Sequence, residues 1–248
     1  MRRQAVRLRV IRDEPGPAAW NMGADEALLV HAATPTLRLY GWRPHAVSLG
    51  WFQRFADFSD VPASVPIVRR PTGGGAIWHG DELTFALAID AALLPRDVAA
   101  GYRLLHDAAV RALAAVGVAS ERSTAGTPPA ARPDVRWCFR EAGRDDVVTG
   151  HGKLLGSAQR RLTTDRPRLL HHGSLVLERP AGTPFVAAVA DATPVTPTLR
   201  AALGDGLVAH FAAALGLTPV AGDYTPTERQ AAAALAARHA DPSHVQRR

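Results

Sequence analysis

Lysine and cysteine are almost missing from this chain. Among its 248 residues there is one Cys, and every one of the 29 basic residues except Lys153 is Arg. A single Cys excludes an internal disulfide and makes a reducing compartment, the cytoplasm, the expected location. With one Cys and no His-x-x-x-His pattern, a structural zinc site is not expected either, and no metal is assigned. Aromatic residues are also scarce, at 6%. The Arg residues are scattered and no nucleic-acid motif is present, so the net charge of +6 does not point to nucleic acid. No apolar run approaches the roughly 20 residues of a membrane span. The first residues are charged, and Arg9, Arg12, Asp13 and Glu14 leave no room for the apolar core of a signal peptide.

What is present suits one large cytoplasmic domain. Hydrophobic residues make up 47% and charged residues 21%, which is ample for a packed core under an ordinary surface. The basic balance attracts an anionic partner, and an acidic carrier protein fits that as well as any polyanion.

The one surviving Lys carries information because Arg and Lys exchange freely only on a solvated surface. Where a compact, flexible ammonium with an adjustable pKa is needed, they do not. Lys153 lies in Gly152-Lys153-Leu154-Leu155-Gly156-Ser157, fifteen positions after Cys138. A thiolate would be the chain's best nucleophile, and a nearby ammonium favours it. The plainer reading is that Cys138 is a small buried hydrophobe.

Periodicity sketches the elements. Residues 5–12, 36–41, 46–50, 66–70 and 83–89 read as strands, and 76–79 as an extended stretch after Gly73-Gly74-Gly75. Asn21 is the expected N-cap of a first helix with acids in its first turn. The longest helix is expected from about 95 to 116, stopped by Gly117. Residues 119–136 are rich in Ser, Thr, Gly, Pro and Ala and read as a long mobile loop. Three strands follow, near Asp146, Lys153 and Ser174. A helix is expected near 197–215, and Thr225-Pro226-Thr227-Glu228 is a capping box for a last helix with a frayed tail. Strands dominate the first 180 residues without regular βα alternation, which argues for an α+β fold.

Three segments carry chemistry. Arg69-Arg70-Pro71-Thr72-Gly73-Gly74-Gly75 ends in a turn whose backbone N–H groups can approach a ligand, flanked by Arg70 and His79. Neither this segment nor the Lys153 segment is a P-loop: no Gly-Lys-Ser/Thr follows the glycine turn, and the Lys153 segment has the wrong glycine spacing. The third is His171-His172-Gly173-Ser174. Adjacent His residues on an extended chain face opposite ways, so they do not readily share one metal.

Read together over residues 17–180, these segments resemble the lipoate–protein ligase and octanoyltransferase family of the biotin/lipoate ligase superfamily. The signatures are Trp20 through Leu28, Leu39 through Pro44, Ser48 through Gln53, Arg69 through His79, Lys153 through Gln159 and His172-Gly173-Ser174. The resemblance implies a mixed, largely antiparallel sheet packed with helices. It implies a catalytic domain over residues 1–220, with 221–248 as a C-terminal helix and tail. It also implies substrate-binding roles for Arg70, Gly73, Gly74, Gly75, His79, Gly156, Ser157, Ala158, His172 and Gly173, with an acyl chain near the glycine turn and Lys153 facing its carbonyl end.

Two chemistries share this family's scaffold. Ligases activate free lipoate with ATP. Transferases take an octanoyl chain from acyl carrier protein through a cysteine thioester and pass it to a lysine of a lipoyl domain, in 2-oxoacid dehydrogenases or the glycine cleavage H protein. Cys138-Phe139 is similar to the cysteine of the ligase-like octanoyltransferases, so the expected catalytic pair is Cys138 and Lys153, with no cofactor. Thioester exchange is nearly isoenergetic and splits one transfer into two easier steps. Gly152 stands where the family has Arg, which disfavours phosphate contacts there. The alternatives are an ATP- and Mg-dependent lipoate ligase, an amidotransferase between carrier domains, and a non-catalytic acyl-binding protein.

Overall fold

A computed structural model describes residues 6–126 and 135–247. In chain order the first elements are β1 (Arg7–Arg12), α1 (Ala18–His31), β2 (Thr36–Tyr40), β3 (Ala46–Leu49), β4 (Ile67–Arg69), β5 (Ile77–His79) and β6 (Glu82–Asp90). Then come α2 (Val98–Ala114), β7 (Glu121–Arg122), β8 (Val147–Thr149), β9 (Gly152–Leu162) and β10 (Arg168–Val176). The last are α3 (Pro197–Leu215), β11 (Thr218–Ala221), α4 (Pro226–Ala240) and α5 (Pro242–Val245).

Eight strands form one mixed sheet in the order β11-β1-β2-β6-β10-β9-β8-β7, and β4-β3-β5 form a small second sheet. In the large sheet only β1 pairs in parallel, with β11 and β2. The fold is α+β, as the strand-rich first part of the sequence implies.

Side-chain size along β6 decides what covers each face. Successive residues of a strand point to opposite faces. Phe85, Leu87 and Ile89 join the core under α2 and α3, with Leu105, Leu113, Leu207 and Phe211. The intervening Ala86 and Ala88 leave room for α1 on the other face. β10 parts its two histidines in the same way. His171 meets the Tyr102 and His106 rings of α2, while His172 reaches Asp25 of α1.

Several expectations change. α1 begins at Ala18 with Pro17 at its N-cap, and its first turn holds no acid. Asn21 therefore sits inside the helix. Its amide donates to the Gly16 and Gly41 carbonyls at 3.2 and 2.9 Å and accepts from Arg38 at 2.8 Å. The Gly16-Pro17 break sets the helix start, and Asn21 satisfies the carbonyls that the break leaves behind. The expected loop over 119–136 contains β7, which pairs with β8. Residues 127–134 of that loop lie outside the described residues, as do residues 1–5 and 248. The expected division after residue 220 falls inside β11, which pairs with β1.

The tail after α4 is folded as α5, and buried Arg69 explains why. Its Nε and one Nη donate to the Val245 carbonyl at 3.1 and 2.7 Å. The other Nη donates to the carbonyls of Gly50 and Gln53 at 3.0 and 2.7 Å. One guanidinium thus ties the C-terminal turn to the bend after β3. Among the described residues no helix is long and apolar enough to cross a membrane.

Candidate active site

The site grows from the β8–β9 hairpin. Lys153 lies at the start of β9 opposite Val148, beside a bulge at Val147/Val148. Its side chain is buried. The ammonium donates to Asp146 Oδ2 at 2.9 Å, and to the Cys138 carbonyl and Cys138 Sγ at 3.2 Å each. An ammonium has three N–H groups, so all three are committed. Asp146 is buried as well, and the Gly143 N–H donates to the same Oδ2 at 2.7 Å. Burial works against the charge of Lys153, but Asp146 and then Cys138 outweigh it and hold its pKa above the ordinary lysine value.

Cys138 is brought to this ammonium by a strap of backbone. Ala76 N donates to the Arg136 carbonyl, and Cys138 N donates to the Ala76 carbonyl, both at 2.8 Å. Gln53 reaches across to the carbonyls of Val135 and Arg136 at 3.1 and 3.0 Å. Trp137 anchors the strap against Phe58 and Trp78. The glycine turn and the thiol therefore share one framework. Gly156, three residues past Lys153, is the second requirement. A Cβ there would fall 2.7 Å from Nζ and nearer still to Cε, so only Gly lets the lysine cross β9 toward the thiol.

Two cavities meet at Cys138. The first spans about 440 Å³ counted with its open mouth. Met22, Tyr40, Trp42 and Ile77 give it an apolar body. Arg70, Gly73, Gly74, His79, Gly156, Ser157, Ala158, His172 and Gly173 line it with Cys138, and Ser48, Thr84 and Ser174 complete its wall. The second, about 410 Å³ with its mouth, is lined by Gly74, Gly75, Val135, Cys138, Gly143, Asp146, Lys153 and Ser157. Gly74, Cys138 and Ser157 belong to both. The two cavities thus gather Cys138, Lys153 and every substrate-binding residue that the resemblance implies around one partition, while Arg69 and His171 lie away from it.

Hydrogen-bonded chains hold the wall of the first cavity. Ser48 Oγ lies 2.7 Å from His79 Nε2, and His79 Nδ1 lies 2.9 Å from Glu82 Oε1. Trp42 stacks on His79 at 3.6 Å and donates to Thr84 Oγ1 at 2.8 Å. Burial lowers the His79 pKa and is only partly offset by Glu82, so the ring is neutral near pH 7. Thr72, His172 and Asp25 form a second chain, at 2.7 and 3.1 Å. Arg70 donates to the carbonyls of Ser48, Gly73 and Gly75 at 3.0, 2.9 and 2.7 Å, fixing the glycine turn. Among the described residues its Nε is buried with no hydrogen-bond partner. Burial depresses the pKa of this guanidinium, which makes it a cation suited to an oxyanion beside it.

Sequence reasoning missed Asp146 and His106. Asp146 was legible only as a strand residue; its link to Lys153 needs the hairpin register. His106 is buried in α2, with Nε2 2.7 Å from Ser157 Oγ and Nδ1 against the Asp145 carbonyl. No local pattern marks it. Gly152, in place of the family's Arg, has φ of 120° and is exposed at the hairpin tip, a conformation that Arg would adopt only with strain.

A thiol with a buried ammonium beside it and an apolar cavity behind it suits acyl transfer. The profile of the lipoyl protein ligase A/B catalytic domain matches residues 17–192, and the chain belongs to that family. It is 36% identical to octanoyltransferase LipM of Symbiobacterium thermophilum, over 89% of this chain and 90% of the relative. It is 31% identical to octanoyltransferase LipM of Kyrpidia tusciae, over 93% of this chain and 95% of the relative. In fold it is similar to a lipoate-protein ligase A solved with ATP, at TM-score 0.77 and 19% identity, covering 98% of this chain and 99% of the other. It is also similar to the bi-partite lipoate protein ligase of Thermoplasma acidophilum, at TM-score 0.74 and 19% identity, covering 98% and 97%.

Proposed function

We propose that this protein is an octanoyltransferase of protein lipoylation. It takes an octanoyl group from acyl carrier protein onto Cys138 as a thioester and passes it to a lysine of a lipoyl domain. The observation that carries this reading is the 3.2 Å contact between Lys153 Nζ and Cys138 Sγ, at the partition between an apolar cavity and an open polar one.

In the first step the Cys138 thiolate, held beside the ammonium, attacks the thioester carbonyl of the donor. The C–S bond to the carrier breaks and the carrier leaves as a thiolate, which takes a proton from solvent. The octanoyl tail lies in the cavity of Met22, Tyr40, Trp42 and Ile77. In the second step the acceptor amine enters from the Lys153 side and attacks the acyl carbon, and the Cys138 thiolate leaves toward the ammonium. Lys153 stabilises charge on sulfur in both steps. No step calls for ATP or a metal. The basic net charge favours encounter with acidic carriers.

The test is intact mass after mixing the protein with octanoyl-acyl carrier protein, without ATP, beside Cys138→Ala. One octanoyl adduct is expected, released by hydroxylamine and lost in the variant. No adduct without ATP, together with lipoylation of an acceptor domain from ATP and free lipoate, would make this a ligase in which Cys138 only packs.

A further inference from the structure

The second step needs a proton acceptor that Lys153 cannot be. An amine that attacks a thioester gains positive charge on nitrogen and must lose a proton as the C–S bond breaks. The three N–H groups of Lys153 already serve Asp146 and the two Cys138 atoms, and the ion pair keeps it an ammonium with no lone pair to offer.

Ser157 and His106 supply one. Ser157 is half-buried and lies on the partition with Cys138, facing both cavities. Behind it, His106 Nδ1 is bonded to the Asp145 carbonyl. A carbonyl oxygen only accepts, so Nδ1 carries the hydrogen and Nε2 keeps its lone pair. Ser157 must then donate its hydroxyl hydrogen to Nε2, across 2.7 Å. That leaves the lone pairs of Ser157 Oγ turned toward the cavities. We propose that Ser157 takes the proton from the attacking acceptor lysine while passing its own to His106 Nε2. The C–N bond forms, the C–S bond breaks, the electron pair leaves on Cys138 Sγ beside Lys153, and the proton rests on His106 until solvent removes it. Ser157 is the group that touches substrate, and His106 acts through it. This rests on the octanoyltransferase reading and extends it.

The surroundings suit both protonation states. Burial keeps His106 below the ordinary histidine value, so it is neutral and ready to accept. Asp145, through its carbonyl and its charge, and Asp146 favour the imidazolium, while Lys153 opposes it. The other titratable groups against the ring are Tyr102 of α2 and His171 of β10, at ring distances of 5.6 and 6.0 Å. Burial holds both in their neutral forms. The first step is thioester exchange onto a thiolate and needs no base, so the two steps depend on His106 differently.

The experiment follows both steps by rapid quench and intact mass. Octanoyl-acyl carrier protein loads the enzyme, and an apo lipoyl domain then unloads it in a single turnover. In His106→Gln the ratio of the transfer rate to the acylation rate should fall about 100-fold, the usual contribution of a positioned base. Protonation of the acceptor amine lowers the rate toward acid pH in every variant; wild-type transfer should fall more steeply than this through the titration of His106, and both His106→Gln and Ser157→Ala should lack the extra fall. Hydroxylamine should cleave the octanoyl-Cys138 of His106→Gln and of wild type at similar rates. Acylation and transfer falling together in His106→Gln, or the extra acid fall persisting in either variant, would overturn the relay. A wild-type enzyme that forms no octanoyl-Cys138 would instead remove the reading beneath it.

Discussion

Replacing Gly156 by Ala tests whether the lysine–thiol contact is set by space on β9. The new Cβ would lie 2.7 Å from Lys153 Nζ. Non-bonded carbon contacts settle at about 3.5–4.0 Å, so the ammonium must retreat by about 1 Å. Its bond to Cys138 Sγ starts at 3.2 Å and would open beyond hydrogen-bonding reach. A displacement of about 1 Å at a reacting centre costs on the order of 100-fold in rate. The cost to folding is much smaller, because only the tip of a flexible side chain moves. The loss of one hydrogen bond to a charged group is about 2 kcal/mol. For a chain of this length that lowers Tm by roughly 4–8 °C. The assay pairs a thermal melt with the rate of octanoyl-Cys138 formation from octanoyl-acyl carrier protein. A fall in acylation of about 100-fold, with a cooperative fold retained, is the expected result. Acylation within a few-fold of wild type would refute the argument, because it would mean that the contact is not what makes the thiol reactive.

Asp146→Asn should move the alkaline limb of acylation to lower pH. The carboxylate is what holds Lys153 charged against burial, so without it the ammonium loses its proton earlier; a pH–rate profile with an unmoved alkaline limb would count against that role. Acid should destabilise the fold in two stages. His79, His106 and His171 titrate below 6.5 in the folded chain, so the unfolded chain takes up protons first and stability falls as pH drops below 6.5. Together the three histidines can contribute at most about 4 kcal/mol per pH unit. Asp25, Glu82 and Glu228 have carboxyl groups lowered from 3.8, 4.5 and 4.5, so the stability they add is lost only below those values. Thermal melts between pH 8 and pH 3 check both stages, and a Tm flat from pH 7 to pH 5 would contradict the first.

The parts of this molecule that were legible in the sequence are those fixed by local pattern. The strands of the large sheet show in their alternation, and α4 shows in its capping box, where Thr225 and Glu228 bond each other's backbone N–H groups. The opposite facing of His171 and His172 follows from strand geometry alone. Asn21 misled because a cap residue and a buried bridging amide look alike until the chain passing Gly41 is in place. The folded tail was hidden because its anchor, Arg69, is 176 residues from Val245. Cys138 and Lys153 stood out by scarcity, and family signatures marked the cavity wall. Asp146 and His106 did not stand out, since each acquires its partner only when separate segments close on one another. Charge partners in a buried site are set by tertiary register, and a linear reading sees that register last.

The scarcity of lysine has one more consequence. An enzyme that delivers activated acyl groups to lysine side chains risks modifying itself, because its own surface is always at hand. Here the chain's one lysine is 5% exposed and its ammonium is engaged on three sides. Arginine everywhere else keeps the positive charge while offering no side chain that a thioester readily acylates at neutral pH. Cys138 apart, no side-chain thiol or exposed side-chain amine of the protein is open to the acyl transfer proposed for it.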